Sequence, residues 1–197
     1  PEQRAWFFPP LDIQPDETRS CIFLIHGGGW GGRPEMLAPQ AVYFQRRGFN
    51  AVVIHFRAPR KGLTPADTLR DVHAAYRFVC QQADELQIDF RNIFLSGGSA
   101  GGHLALGMLT IDLGEPQLPV KPTGLMLFNP VIDLVDGWKG GRTRCEKAGI
   151  KPAEFSPAQL VSRGMPPIFI MSGSEDTLIT VDQLERFKKR TEALGNR

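Results

Sequence analysis

The chain has 197 residues, 42% hydrophobic and 22% charged, with a formal charge of +2. That length suits one domain with a well-buried core, and so small a charge selects neither nucleic acid nor an anionic membrane as partner. No apolar stretch is long enough to span a bilayer. The three cysteines, Cys21, Cys80 and Cys145, lack any metal or redox spacing and read as free, partly buried thiols, which lean towards a reducing, cytoplasmic compartment. The sequence starts at Pro1 with no charged-then-apolar leader, so compartment is otherwise unread.

In chain order, "CIFLI" (21–25) is a short, non-alternating apolar run, the pattern of a strand covered on both faces. "LIHGGGWGGR" (24–33) follows, with five glycines behind a single histidine. "MLAPQAVYFQRR" (36–47) reads as a helix provided that it begins at Pro39. "AVVIHF" (51–56) is the next strand. From Thr64, a cap followed by Pro65 and Asp67, the residues Leu69, Val72, Tyr76, Val79, Ala83 and Leu86 form one apolar helical stripe. "NIFLS" (92–96) leads into "GGSAGGHLAL", and "GLMLF" (124–128) is a further strand. The stretch from Val131 to Phe155, with "DGWKGGRTR" inside it, reads as an irregular loop at the carboxyl edge of a parallel sheet, where ligands bind. "SPAQLVS" has a Ser-Pro helix start, and "IFIM" (168–171) is the last strand. "TVDQLERFKKRTEAL" opens with the Thr180/Gln183 spacing of a capping box, and Lys188, Lys189 and Arg190 form a solvated face. Strands alternating with helices predict a three-layer α/β domain with a mostly parallel sheet.

Two glycine clusters carry the chemistry. Gly97-Gly98-Ser99-Ala100-Gly101 fits G-x-S-x-G with a strand before and an apolar helix after, the context of a nucleophile elbow. There the serine sits on a strained turn at the positive end of a helix, and only small residues fit two places before and after it. A phosphate loop is the competing reading, but neither cluster has its Lys-Ser/Thr ending. With His26, "HGGGW" supplies the second half of a hydrolase site: glycines let backbone N–H groups approach a developing oxyanion. The donors would be Gly28, Gly29 and Ala100, with His26, Gly97 and Gly101 structural.

These stretches resemble the α/β-hydrolase esterase/lipase group that includes hormone-sensitive-lipase-like enzymes. "HGGGW", "HFRAPR", "TPADTLRDVHAAYRFV" and "NIFLSGGSAGGHLAL" resemble, more narrowly, its compact carbohydrate acetyl or feruloyl esterases. The chain departs from the family pattern at His55-Phe56, where an acidic or amide residue and Tyr are usual. The resemblance implies a serine esterase that needs no metal or cofactor and acts on a small-molecule ester, with Asp176 in "IFIMSGSEDTLIT" as the triad acid and Glu175 as its neighbouring alternative. An arylformamidase, whose relatives share an HGG-x-W loop, is a further reading.

The base is missing from this pattern. The family takes its histidine from a loop downstream of the acid, and no histidine follows Asp176. His26 reads as structural, His103 as too deep on the serine's own helix, and His73 as half-buried beside a helix stripe. Only His55 ends a strand on the catalytic edge. Either the domain continues with a further strand and helix that bring the histidine, or this is a binding protein that has lost its base. An intact elbow, oxyanion loop and acid favour the first. No separate lid domain is expected. Trp30 and Trp138 are candidates for contact with substrate, each with packing or solvated-loop placement as the alternative, and Arg57 and Asp71 read as a structural ion pair.

Overall fold

The computed structural model describes residues 3–197. Six strands, β1 (Arg4–Phe8), β2 (Arg19–Ile25), β3 (Asn50–His55), β4 (Ile88–Gly98), β5 (Gly124–Phe128) and β6 (Ile168–Met171), form one sheet in the order β1-β3-β2-β4-β5-β6. Only β1 runs antiparallel. The register pairs Ile25 with Ile54 and Gly97, Gly98 with Phe128, and Phe128 with Met171. All five parallel strands therefore end at one edge, and the loops that follow them converge there.

Alternate residues of each central strand point to opposite faces, and both faces are covered. Phe23, Ile25, Val52, Ile54, Leu95 and Leu127 pack with Leu69, Val72 and Tyr76 of α2 (Pro65–Gln81) and Leu104 and Ala105 of α3 (Ala100–Thr110). Ile22, Leu24, Ala51 and Val53 pack on the other face with Ala41 and Phe44 of α1 (Ala38–Gln45). This is the expected three-layer α/β-hydrolase fold. Arg57 and Asp71 form the expected structural pair, with Arg57 Nε and Nη2 donating to the Asp71 carboxylate at 2.8 and 2.7 Å and the Arg57 backbone N–H adding a third bond at 2.9 Å.

Local signals hold where the chain alone decides. Helix α2 starts on Thr64 with both halves of its capping box made, by Thr64 and Asp67. It ends at Gln81, so Ala83 and Leu86 reach the core from a turn. Helix α1 does begin beside Pro39, after a 3-10 turn over Pro34–Leu37. Three expectations need correction. The 131–155 stretch is partly helical, with α4 (Lys139–Lys147) and a 3-10 turn at Pro152–Phe155 inside it. Ser156 does not cap the one-turn α5 (Pro157–Leu160); its hydroxyl donates to Pro152 O and accepts from Leu134 N. At α6 (Val181–Ala193), Thr180 accepts from the Gln183 N–H, but the Gln183 side chain donates to Asp136 O instead of closing a box.

Cys21 and Cys145 are buried and Cys80 is half-buried, and all three are free. Burial pushes the Cys145 thiol up to about 12 and that of Cys80 to about 11. Among the described residues no helix is long and apolar enough to cross a membrane.

Candidate active site

Ser99 stands between β4 and α3 at φ 53°, ψ −122°, a conformation that an L residue holds only when its surroundings impose it. They do so here. The Ser99 N–H donates to Phe128 O at 2.9 Å, and Val131 N–H donates to Ser99 O at 3.0 Å. A Cβ on Gly97 would lie 2.6 Å from the Gly101 carbonyl, and one on Gly101 would lie 2.1 Å from Ile25 O. Strand β2, strand β4 and the first turn of α3 thus meet at backbone contact, which admits glycine alone. Ser99 makes no side-chain cap to the helix that it precedes.

The HGGGW loop lies directly against this turn. A Cβ on Gly27 would sit 2.7 Å from Gly98 O and 3.3 Å from Ser99 Cβ. Gly28, Gly29 and Trp30 all have positive φ, 71°, 60° and 66°, and the turn closes through Gly31 N–H to Gly28 O at 3.0 Å and Gly32 N–H to Gly27 O at 3.2 Å. Among the described residues, none accepts a hydrogen bond from the N–H of Gly28, Gly29 or Ala100. Ala100 directly follows Ser99, and Gly28 and Gly29 directly follow Gly27, which touches the serine turn.

His26 packs beneath the loop, its ring stacked on Phe56 at 4.0 Å, with Nδ1 3.3 Å from Gly27 O. His103 is fully buried, and its Nε2 donates to Phe155 O at 2.8 Å. Burial lowers both imidazoles to about 4, so each is neutral at neutral pH; separately, neither ring hydrogen-bonds Ser99 Oγ. His73 is more deeply buried than its sequence suggests, at 6% exposure, and both of its ring nitrogens lack a partner among the described residues. His55 ends β3 on the catalytic edge, within a ring stack with His26 at 5.8 Å.

Trp30 has no exposed surface. It fills the space under the glycine loop, edge-on to His103, Trp138 and Phe155, and so occupies the packing alternative rather than a surface open to substrate. Trp138 and Arg144 close over the loop from α4. A Cβ on Gly29 would lie 3.2 Å from both Trp138 Cζ2 and Arg144 Nη1, and the Arg144 guanidinium donates to Gly29 O. Trp138 is one of the candidates for substrate contact; the contact of Trp138 and Arg144 with the loop has no local signal, because Arg144 and Gly29 are 115 positions apart.

Asp176 lies on the loop after β6, at the same edge. Its Oδ1 accepts from the N–H groups of Leu178 at 2.8 Å and Ile179 at 2.9 Å, which leaves Oδ2 for a further donor. Glu175 is exposed and has no hydrogen bond to any described residue. The anchored carboxylate is the one on Asp176.

A parallel sheet whose carboxyl edge carries a strained serine turn, a glycine loop packed on it and an anchored acid defines the α/β-hydrolase esterase class. The family model BD-FAE matches residues 11–117, more than half of the chain, and the protein belongs to that family. It is similar to the thermophilic esterase Est2 of Thermogutta terrifontis, at 32% identity and a TM-score of 0.86 over 100% of this chain and 74% of that one. That esterase is also known with butyrate bound and phosphorylated by paraoxon. Endo-1,4-beta-xylanase B of Butyrivibrio fibrisolvens is 27% identical over 85% of this chain and 28% of its own length. The probable carboxylic ester hydrolase LipM of Mycobacterium tuberculosis is 28% identical over 92% of this chain and 46% of its own. The chain thus spans less than half the length of either of these two curated relatives.

Proposed function

We propose that this protein is a serine carboxylic-ester hydrolase that works through an acyl-enzyme. Ser99 Oγ attacks the ester carbonyl carbon, and the charge that develops on the carbonyl oxygen is taken up by the N–H groups of Gly28, Gly29 and Ala100. A histidine downstream of Arg197 accepts the serine proton and returns it to the leaving alcohol, with its other ring nitrogen donating to Asp176 Oδ2. Water then repeats the sequence on the acyl-serine and releases the acid. The observation that carries this reading is the strained Ser99 turn with Gly27 of the glycine loop at backbone contact, and the N–H groups of Gly28, Gly29 and Ala100 without an acceptor among the described residues.

The downstream histidine is supported by two facts: no described histidine hydrogen-bonds Ser99 Oγ, and the sheet has an open margin at β6, where Phe169 and Met171 are 55% and 56% exposed. The same absence of a partnered histidine also carries the rival reading, a hydrolase fold that binds but does not turn over. Short acyl esters or acylated sugars are the proposed substrates. The butyrate complex of the Thermogutta esterase and the match to a xylan-degrading protein support this class. The test is turnover of p-nitrophenyl acetate by the full-length protein, lost in Ser99→Ala; residues 1–197 alone are expected to turn over almost none. Activity of the 197-residue chain that His55→Ala abolishes would make His55 the base.

A further inference from the structure

The turn that presents the oxyanion donors is in a conformation that its own sequence disfavours. Gly28 to Gly31 closes through the Gly31 N–H to Gly28 O bond, and both central residues, Gly29 and Trp30, have positive φ. That is the type I′ pattern. The same closing bond is compatible with type II′, in which only the first central residue needs positive φ. Gly29 meets that demand without steric cost, whereas a bulky aromatic at φ 66° is an outlier. A half-rotation of the single peptide plane between Gly29 and Trp30 converts one turn into the other. It moves Trp30 to negative φ while its indole stays packed among His103, Trp138 and Phe155. The local sequence therefore favours the turn that is not observed.

What opposes the rotation is visible. The oxygen that would swing is Gly29 O, and it accepts a hydrogen bond from the Arg144 guanidinium. The guanidinium carbon lies 5.5 Å from the centre of the Trp138 ring, and that ring also covers Gly29. The other loop carbonyls are held from within the loop: Gly27 O by Gly32 N–H and Gly28 O by Gly31 N–H. Gly29 O alone among these three depends on a residue from another element. In a trans peptide the N–H and C=O point in opposite directions. After rotation the Gly29 oxygen would face where the Trp30 N–H faces now; Trp30 directly follows Gly28 and Gly29 in one run of positive φ, so on the esterase reading that oxygen would join the side of the proposed donors and repel an oxyanion.

We propose that Arg144, seated against Trp138, is a positioning residue that holds the Gly29–Trp30 peptide in its observed orientation and so keeps the oxyanion loop competent. This rests on the esterase reading above. It requires Arg144 to touch neither substrate nor reacting atoms; it acts through the Gly29 carbonyl.

The test compares the full-length protein with Arg144→Met, which keeps the aliphatic stem, Arg144→Ala, and Lys147→Met on the same helix as a control. With p-nitrophenyl acetate, kcat of Arg144→Met is expected to fall about 10- to 100-fold with KM little changed, because the loss falls on the transition state. Thermal midpoint should stay near that of the parent, and Lys147→Met should match the parent throughout. Added guanidinium ion should restore part of kcat to Arg144→Ala, which a merely structural loss would not show. A crystal structure of Arg144→Met should place Trp30 at negative φ. An unchanged kcat in Arg144→Met, or Trp30 still at positive φ in its crystal structure, would overturn the proposal. If the parent itself shows no turnover, the esterase reading fails, and the conformation of Trp30 in Arg144→Met still decides this one.

Discussion

Around Ser99 the backbone has one course open to it, because strands β2 and β4 and helix α3 meet at distances that exclude any Cβ at Gly97 or Gly101. Around Asp176 the chain is far less constrained. The loop from Gly173 to Leu178 is largely exposed, and the carboxylate is fixed by two backbone N–H groups of its own loop. The proposed nucleophile is thus set on a turn wedged between core elements, with the proposed oxyanion loop packed against it, while the proposed acid is attached at the margin of the sheet. Electrostatic stabilisation by preorganised donors loses effect with small displacements, so it belongs where packing is tightest. An acid that orients a histidine must hold one hydrogen-bonding direction, which a local turn can supply. The two regions should therefore respond to substitution in opposite ways.

The largest effect is expected at the margin, on rate alone. Asp176→Asn keeps the Oδ1 acceptor but removes the charge, and kcat of the full-length enzyme should fall about 10⁴-fold with little change in urea stability. Glu175→Gln should stay near the parent; a large loss there with a mild one at Asp176 would exchange their roles. In the centre the loss falls on folding. Gly101→Ala places a carbon 2.1 Å from Ile25 O and should cost more than about 4 kcal/mol in urea unfolding. A well-folded Gly101→Ala protein would show that the elbow is looser than its contacts imply.

Acid should also act on the centre first. His26 and His103 titrate near 6.5 when unfolded but at about 4 in the fold, because burial disfavours their charged forms. Above pH 6.5 both states are neutral and stability does not change on their account. Between 6.5 and 4 the unfolded chain takes up protons that the folded one refuses, so stability falls as pH falls, by roughly 3 kcal/mol per histidine. His103→Gln should flatten part of that slope in urea melts run across this range. The smallest effect is expected at Phe169, on the exposed face of β6. Phe169→Ser in the 197-residue chain should change stability by no more than about 0.5 kcal/mol. In the full-length protein, if the open margin is covered by a further strand and helix, the same substitution should cost about 3 kcal/mol.

The same contrast explains what could be read from the residues. The buried parallel strands announce themselves as short Ile-, Val- and Phe-rich runs, and the elbow glycines are legible because steric exclusion leaves glycine no substitute. Strand β1, "RAWFF", has three exposed residues and pairs only at the sheet's outer edge, so it carries no local strand signal. Helix α4, "KGGRTRCEK", has two glycines and no apolar stripe. It forms because Gly141 lets the Trp138 ring and Leu134 pack across its first turn and Cys145 reaches the core. Such reasons lie in tertiary packing, beyond any window of sequence. The Arg144–Gly29 contact is of the same kind. Asp176 is preferred over Glu175 already by its place in the family pattern, but the hydrogen bonds from Leu178 and Ile179 that anchor its carboxylate are visible only in the fold, and the histidine question turns on residues that no motif here specifies.

The central claim, that Ser99 is the nucleophile held between the glycine loop and α3, is tested most directly by covalent labelling. The full-length protein is treated with paraoxon or a fluorophosphonate, and the adduct is located by mass spectrometry of its peptides. A single adduct on Ser99, absent from Ser99→Ala, is the predicted result. An adduct on another serine, or ester turnover that persists in Ser99→Ala, would contradict it.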